Sequence, residues 1–120
     1  MAGELRTSLN TFRFVKDGSD VSLPPVLVNF DVAGENYVRR TQLIDITDTP
    51  LDLGDISTPG YLFAWNFDTG NFVTIGEDGS SYPVKLKPNF GWGVLCFNGA
   101  AIHAIADTAP CIIEYFLIDD

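Results

Sequence analysis

The apolar residues of this 120-residue chain fall into short runs rich in Val, Ile, Phe, Tyr and Thr. Gly, Asn, Asp and Pro separate these runs about every eight to twelve residues, which is the spacing of a β-sandwich or barrel. The apolar spacing of three and four that a helix needs is nowhere sustained. We therefore predict nine strands, over residues 9–15, 26–32, 37–46, 60–66, 72–75, 82–86, 93–97, 101–106 and 112–118. A short helical turn over residues 51–55 is compatible with the same sequence.

The turns between these runs support a chain of antiparallel strands. Four dipeptides that tolerate a positive φ lie between predicted strands: Asp17-Gly18, Thr69-Gly70, Asp78-Gly79 and Asn98-Gly99. The predicted fold is an all-β, two-sheet antiparallel β-sandwich, jelly-roll-like, with eight or nine strands. The strand signals are weakest at the amino terminus. Residues 1–25 are therefore predicted to form an extended arm onto a neighbouring subunit or an edge strand, and residues 26–120 the sandwich domain.

Composition and charge exclude several classes of partner. The chain is 46% hydrophobic and only 19% charged, so it holds enough apolar surface to offset the entropy lost on folding. Its net charge is −9, with seven cations against sixteen acids. This field repels polyanions, so we expect neither a nucleic acid nor an anionic membrane as a partner. The negative charge suits a soluble surface or a basic protein partner.

The amino-terminal residues and the two cysteines bear on the cellular compartment. The first six residues lack the basic start and apolar run of a signal peptide, and no segment reaches the length of a membrane span. We therefore expect the protein to be made and kept soluble inside a cell. Cys96 and Cys111 each lie in an apolar run, which favours buried thiols, with a disulfide between neighbouring strands as the alternative.

Residues able to perform catalysis or bind metal are sparse. His103 is the sole histidine, and alternation places it on the opposite side of its strand from Ile102 and Ala104, as a surface or interface residue. A single histidine leaves few options for nucleophilic catalysis. Hard oxygen ligands that suit calcium recur at Asp45, Asp48, Asp52 and Asp55, but their spacing is not that of an EF-hand loop. We predict no catalytic residue, metal site or cofactor, and no enzyme activity.

An aromatic row is the most distinctive feature of the middle of the chain. Tyr61, Phe63, Trp65 and Phe67 occupy alternate positions, so one face of their strand is aromatic. Such a row is most often part of the core. It also suits a subunit interface, where aromatic residues are enriched, or a platform on which a sugar stacks. These four residues and Trp92 are the candidate interface or ligand face.

A pattern of turns and strand edges, with no chemical motif, runs through the part of the chain from residue 51 to the end. Its residues are 53–61, 66–68, 71–76, 84–88, 104–109 and 113–118. In this pattern the chain resembles small virion proteins of tailed bacteriophages, which are β-rich head-decoration or other accessory components.

The resemblance implies a capsid decoration or cement protein that stabilises the head lattice of a bacteriophage virion. Its implied partners are further copies of itself, in a homo-oligomer, and the major capsid protein or other virion proteins. Its implied location is the virion, after synthesis in the host cytoplasm. The alternative is a carbohydrate- or receptor-binding module of a phage tail or fibre, which would present Trp65 or Trp92 to solvent and bind a glycan.

Overall fold

A computed structural model describes residues 5–9, 11–96 and 100–120, and these residues form an all-β structure. The turn over residues 51–55 contains no helix. Contacts divide the chain into two compact units, Met1–Val32 and Ala33–Asp120. The described residues form β1 (Leu5–Leu9), β2 (Phe12–Lys16), β3 (Ser19–Leu23), β4 (Val26–Phe30), β5 (Tyr37–Ile44), β6 (Thr49–Pro50), β7 (Pro59–Asn66), β8 (Val73–Gly76), β9 (Val84–Leu86), β10 (Gly91–Cys96), β11 (His103–Ala106) and β12 (Cys111–Asp119).

The amino-terminal unit is a two-stranded antiparallel ribbon. β1 pairs with β4, and β2 pairs with β3. The first ladder ends at the pair Leu9 and Val26, and the second begins at the pair Phe12 and Leu23. Two residues separate the ladders on each side of the ribbon, so the second ladder keeps the register of the first. The ribbon reverses at Asp17-Gly18, where φ is +49° and +85°. Two successive positive φ values are those of a type I′ hairpin turn, as the dipeptide predicts.

The interruption of the ribbon has a simple cause. Pro24 and Pro25 have no N–H to donate, so the ladder cannot pass through them. β4 pairs with β1, so residues 26–30 group with the ribbon. The boundary predicted between residues 25 and 26 therefore falls inside this unit, and the compact units divide after Val32. The strand predicted over residues 9–15 is split in two, and β3 is an additional strand.

The carboxyl-terminal unit contains two four-stranded antiparallel sheets. Sheet A has the strand order β10-β7-β12-β5, and sheet B has the order β6-β11-β8-β9. Successive strand pairs alternate between the two sheets. Sheet A contains the pairs β5 with β12 and β7 with β10, and sheet B contains the pairs β6 with β11 and β8 with β9. One long antiparallel hairpin rolled upon itself produces this order, which is that of an eight-stranded jelly roll. The predicted all-β, jelly-roll-like sandwich is confirmed.

The hydrophobic core of this unit lies between the two sheets. Sheet A contributes alternate residues of its central strands, and sheet B contributes the inward residues of β8, β9 and β11. Because a pleated strand turns successive side chains to opposite faces, each strand presents only every second residue to the core. The most completely enclosed side chains are Ile44, Leu62, Ala64, Val73, Ile75, Leu86, Ile102, Ala104, Ile113, Tyr115 and Leu117.

Buried polar groups in this core are paired. Asn66 at the end of β7 donates from Nδ2 to the carbonyls of Asn71, at 2.9 Å, and Leu86, at 3.2 Å. Its Oδ1 accepts the backbone N–H of Asp68 at 2.9 Å. An unpaired buried amide would cost about 1–3 kcal/mol, so these bonds make the polar residue tolerable there. Asn66 thereby links β7 to the β7–β8 loop and to β9.

Candidate functional site: the outer face of sheet A

The aromatic row of β7 points away from the core. Leu62, Ala64 and Asn66 are buried, whereas Trp65 is 41% exposed. The interpretation of the row as core is therefore wrong. Both faces of β7 are apolar, so hydrophobicity alone does not decide which face turns inward. The smaller even-numbered side chains face sheet B, and the aromatic ones lie on the outer face of sheet A.

Neighbouring strands extend this row into a surface. In the sheet register Phe116 lies beside Phe63 and Arg39, while Ile118 lies beside Tyr61 and Tyr37. Directly opposed residues in an antiparallel pair share a face of the sheet. We call the resulting outer surface the aromatic face and define it by Tyr37, Leu43, Tyr61, Phe63, Trp65, Ile112, Phe116 and Ile118.

Ring contacts order the aromatic face. Phe116 stacks on Tyr37 with ring centroids 5.5 Å apart and an angle of 14° between the planes. On its other side Phe116 meets Phe63 edge to face at 6.3 Å and 79°. Both are favoured geometries for aromatic pairs. The three rings thus form a continuous band across β5, β12 and β7.

Trp65 lies over a glycine on the neighbouring strand. Gly91 is its cross-strand partner in β10, and a Cβ added at Gly91 would collide with the indole ring. The ring therefore covers backbone that a side chain would otherwise occupy, and it still keeps a substantial exposed area. Glu114, on the other side of Trp65, accepts a hydrogen bond from Arg39 at 3.4 Å. This ion pair and the exposed Thr41, which lies beside Glu114 in β5, are the polar part of a largely apolar surface.

The other predicted members of the face have different positions. Phe67 follows β7, is exposed, and donates its backbone N–H to the carbonyl of Ile112 at 3.1 Å. The backbone of Trp92 pairs with that of Ala64, but its side chain lies outside the described part of the structure, as do the side chain of Cys96 and the Asn98-Gly99 turn.

Sequence reasoning missed the contribution of β5 and β12. A signal was present, because residues 112–118 alternate and carry Ile112, Phe116 and Ile118 on one side. Both sides of that strand are largely apolar, so the alternation does not identify the outer side. On the outer side of β5, the polar residues Arg39 and Thr41 separate Tyr37 from Leu43, so this strand gives no comparable pattern.

The outer face of sheet B differs in chemistry. Thr74, Lys85, His103 and Ile105 point outward from it, as their alternation with buried neighbours shows. The Nζ atom of Lys85 lies 4.1 Å from the centroid of the Phe72 ring, a cation–π contact. This polar and aliphatic surface contrasts with the aromatic face of sheet A.

A second cluster joins His103 to two loops. Nδ1 of His103 lies 3.0 Å from Oδ2 of Asp48, and the Tyr82 hydroxyl donates to Oδ1 of Asp48 at 2.5 Å. The Tyr82 hydrogen bond is the main cause that lowers the pKa of Asp48, with a further contribution from His103. The same bond raises the pKa of Tyr82 to about 12. The sequence separates these residues too widely to predict the cluster.

The hydrogen bonds of this cluster connect loops that are distant in the sequence. The Asp48 carboxylate accepts hydrogen bonds from the Tyr82 hydroxyl and the His103 imidazole. It thereby connects the β5–β6 loop to the β8–β9 connection and to β11. Asp78 beside it accepts the backbone N–H groups of Ser80 and Ser81, each at 2.8 Å, and these bonds lower its pKa. These hydrogen bonds hold the two loops in place.

Three of the four aspartates considered for calcium have other partners. Asp52 pairs with Arg40 at 3.1 Å and accepts the N–H of Gly54 at 3.0 Å. Asp45 accepts the N–H of Ile46 at 2.7 Å, and Asp48 belongs to the His103 cluster. Within residues 5–9, 11–96 and 100–120, no group of three or more His, Cys, Asp or Glu side chains could hold a metal ion.

Cys111 is a buried free thiol. Its Sγ lies 3.5 Å from the carbonyl oxygen of Ala109 and 3.8 Å from that of Asn71. Burial raises the pKa of this thiol, and the charges of Asp68 and Asp107 add to the effect. A protonated, enclosed thiol is a poor nucleophile, so the Cys111 side chain acts as part of the core.

No protein-family model, characterised protein or solved structure matches the chain. In the part of the chain that the structure describes, no helix is long and apolar enough to cross a membrane.

Proposed function

We propose that this protein is a structural subunit of a bacteriophage virion, a capsid decoration or cement protein that binds the head lattice and stabilises it. The observation that carries the proposal is the aromatic face, an apolar outer surface on a sheet whose opposite side already forms the core. Large exposed apolar surfaces on soluble proteins mark sites of association. The jelly roll is compatible with this role, since viral capsid domains use it, but it does not determine function.

The energetics of such a surface suit a cement protein. Burial of apolar area contributes roughly 25 cal/mol per Å², and one aromatic side chain can bury about 150–250 Å². Association costs roughly 4–15 kcal/mol, so several aromatic side chains must be covered together. The band formed by Tyr37, Phe63 and Phe116 offers them in one place. The proposed partners are further copies of the chain and the major capsid protein, and the proposed location is the virion.

A binding experiment on capsids tests the proposal. The purified chain is added to phage capsids stripped of accessory proteins, and bound protein is measured by sedimentation while capsid integrity is followed by heating. We expect saturable binding and a higher temperature of capsid disruption. Tyr37→Ser on the aromatic face should weaken binding, whereas Lys85→Ser on the outer face of sheet B should not. Failure of the wild-type chain to bind stripped capsids would overturn the proposal.

One observation favours a second function, a carbohydrate- or receptor-binding module of a phage tail or fibre. Trp65 is 41% exposed and lies over Gly91, which leaves ring area available for a sugar to stack on. Titration of a glycan panel against tryptophan fluorescence tests it, with Trp65→Phe as the variant. A saturable change that this variant reduces would favour the binding module, and the absence of any response would remove it.

A further inference from the structure

We propose that the Asp17-Gly18 turn is a site of spontaneous covalent modification, at which the backbone rearranges from aspartate to isoaspartate and opens the β2–β3 hairpin. The modification is independent of the proposed function. The tripeptide Asp-Gly-Ser occurs twice in the chain, at residues 17–19 and 78–80. The two sites therefore contain the same reacting residues in different structural settings.

The reaction requires only the residues of the turn and water. The backbone nitrogen of the glycine attacks the protonated side-chain carboxyl of the aspartate, the N–Cγ bond forms, and the N–H proton leaves with the carboxyl hydroxyl as water. The resulting succinimide then adds one water at either carbonyl carbon. Addition at the backbone carbonyl carbon breaks its bond to nitrogen, so the chain continues through Cβ and Cγ with its mass unchanged. Glycine favours the attack because it has no side chain to obstruct its nitrogen.

At Asp78-Gly79, hydrogen bonds hold the reacting groups. Oδ1 of Asp78 accepts the backbone N–H groups of Ser80 and Ser81, each at 2.8 Å, and the Ser80 hydroxyl at 3.0 Å. These bonds lower the pKa of Asp78, which keeps its carboxyl in the ionised, unreactive form. The Gly79 carbonyl accepts the Tyr82 hydroxyl at 3.1 Å, so the glycine is held as well. The bonds to the carboxylate must break before the reaction can begin.

The Asp17 carboxyl, by contrast, is free to react. Both residues of its turn are exposed, and within residues 5–9, 11–96 and 100–120 no hydrogen bond or ion pair engages the Asp17 carboxylate. A Cβ added to Gly18 would have no atom within 4 Å, so the surroundings of the glycine are open. Asp17 also has a φ of +49°, a left-handed conformation that residues with a side chain rarely adopt.

The hairpin around this turn also opens at little cost. Among the described strands β2 and β3 pair only with each other, and every side chain of β3 is exposed. A two-stranded hairpin of this kind is at best marginally stable in water. Gly79 lies instead between β8 and β9, which belong to the four-stranded sheet B. Local opening, which lets the backbone reach the geometry of attack, is therefore more frequent at Asp17-Gly18.

Isoaspartate at residue 17 disrupts the hairpin. The two-residue turn is of type I′, with a positive φ at both positions. Passage of the chain through Cβ and Cγ adds one backbone atom to this turn, so the pairing of Val15 with Asp20 loses its register. The ion pair in which Arg13 donates to Asp20 at 2.8 Å is lost with it. The modified chain keeps its carboxyl-terminal unit and has an open hairpin.

Ageing of the full chain tests the site. The folded protein is incubated at mildly acidic pH in oxygen-18-labelled water, and peptide mapping with electron-transfer fragmentation locates isoaspartate and the label. Each passage through the succinimide inserts one labelled oxygen. We expect isoaspartate to accumulate about tenfold or more faster at residue 17 than at residue 78, because hydrogen bonds to a carboxylate protect it by at least that factor. Detection by residue keeps both sites separate from Asn98-Gly99.

Two controls separate structure from sequence. In concentrated urea the two tripeptides lose their structural settings, so their rates should become similar. Ser80→Ala removes the hydroxyl bond to Asp78 and should speed the reaction at residue 78 by about two- to tenfold, without changing residue 17. Circular dichroism verifies that this variant folds.

Hydrogen exchange measures the consequence for the hairpin. In the modified chain amide protection should be lost over β3 and retained over β12. A reaction in the folded chain that is as fast at residue 78 as at residue 17, or a reaction at residue 17 in urea alone, overturns the site. Isoaspartate at residue 17 with unchanged protection of β3 overturns the opening of the hairpin.

Discussion

At the scale of single residues, Tyr115 shows how a polar group is accommodated in the core. Its ring is fully enclosed, and its hydroxyl donates to the backbone carbonyl of Asp52 at 2.6 Å and lies 3.0 Å from Oε1 of Gln42. The same Gln42 oxygen accepts the N–H of Asp52 at 3.0 Å. The network ties central strand β12 to edge strand β5 and to the loop after β6.

Removal of this hydroxyl should destabilise the fold. In Tyr115→Phe the ring still fills its space, but the Asp52 carbonyl loses its donor. We expect the free energy of unfolding to fall by about 1–2 kcal/mol, measured by urea denaturation. Tyr37→Phe is the control, because Tyr37 is 70% exposed and its substitution should change stability by less than about 0.5 kcal/mol. Equal losses in both variants would contradict this account.

The same residue predicts a dependence on alkaline pH. Burial raises the pKa of Tyr115 from 10 to about 12. Between these values the unfolded chain has lost a proton that the folded chain keeps, so the free energy of unfolding decreases as pH rises from 10 to 12. Tyr82 shares this direction, so Tyr115→Phe should reduce the decrease without abolishing it. Denaturation of wild type and variant at pH 9 and pH 11 measures the difference.

The Asp48 carboxyl provides a residue-scale prediction in acid. Its pKa lies below 3.8 mainly because Tyr82 donates to it, so this contribution to stability is present above pH 3.8 and is lost as pH falls through the lower, folded value. In Tyr82→Phe we expect the pKa of Asp48 to rise toward its ordinary value, as measured by NMR titration of the carboxyl carbon. Asp68, held by the N–H groups of Asn71 and Gly70, is the internal control and should not move.

Residue types alone could not have predicted these networks. Gln42 and Asp52 are ordinary polar residues in the sequence, and nothing local indicates that both meet Tyr115. Hydrogen bonds between distant residues depend on the register of β5 with β12. The outward position of His103, by contrast, follows from alternation within one strand, and the structure has Ile102 and Ala104 buried on either side of it.

At the scale of elements, the pairing of β7 with β10 depends on a large residue opposite a small one. Trp65 covers Gly91, so Gly91→Ala should force the indole away from the sheet. We expect a loss of about 1–3 kcal/mol in the free energy of unfolding, with stronger quenching of tryptophan fluorescence. Gly70→Ala is the matched control, since the nearest atom to its added Cβ is 3.9 Å away. Unchanged stability in Gly91→Ala would show that Trp65 does not depend on this position.

The strands themselves were largely predictable, and the exceptions have physical causes. Alternation and turn residues locate β5, β7, β8 and β12 to within a few residues. β3 was missed because Ser19, Asp20 and Ser22 have low strand propensity. These residues form a strand because the Asp17-Gly18 turn brings them beside β2, with which they pair. The direction of the aromatic row was not predictable, because packing against sheet B decides it.

At the scale of the whole molecule, the jelly roll depends on strand pairs that are far apart in the chain. β5 pairs with β12 and β6 with β11 across more than half of the carboxyl-terminal unit. The number and character of the strands predict a sandwich, but strand order depends on these distant pairings. The separation of a nearly neutral amino-terminal unit, of net charge −1, from a carboxyl-terminal unit of net charge −8 also emerges only when the contacts divide the chain after Val32.

This division of charge predicts how salt affects assembly. Copies with a net charge of −9 repel one another, while the aromatic face, through which further copies are proposed to bind, is largely apolar. Added salt screens the repulsion, with a Debye length of about 8 Å at physiological ionic strength, and leaves apolar burial intact. We therefore expect self-association to strengthen as sodium chloride increases, measured by sedimentation. Asp55→Lys, which reduces the net charge to −7 by removing one acid and adding one cation, should reduce this dependence. Association that weakens with salt would mean that ion pairs hold the copies together, and the apolar contact would be wrong.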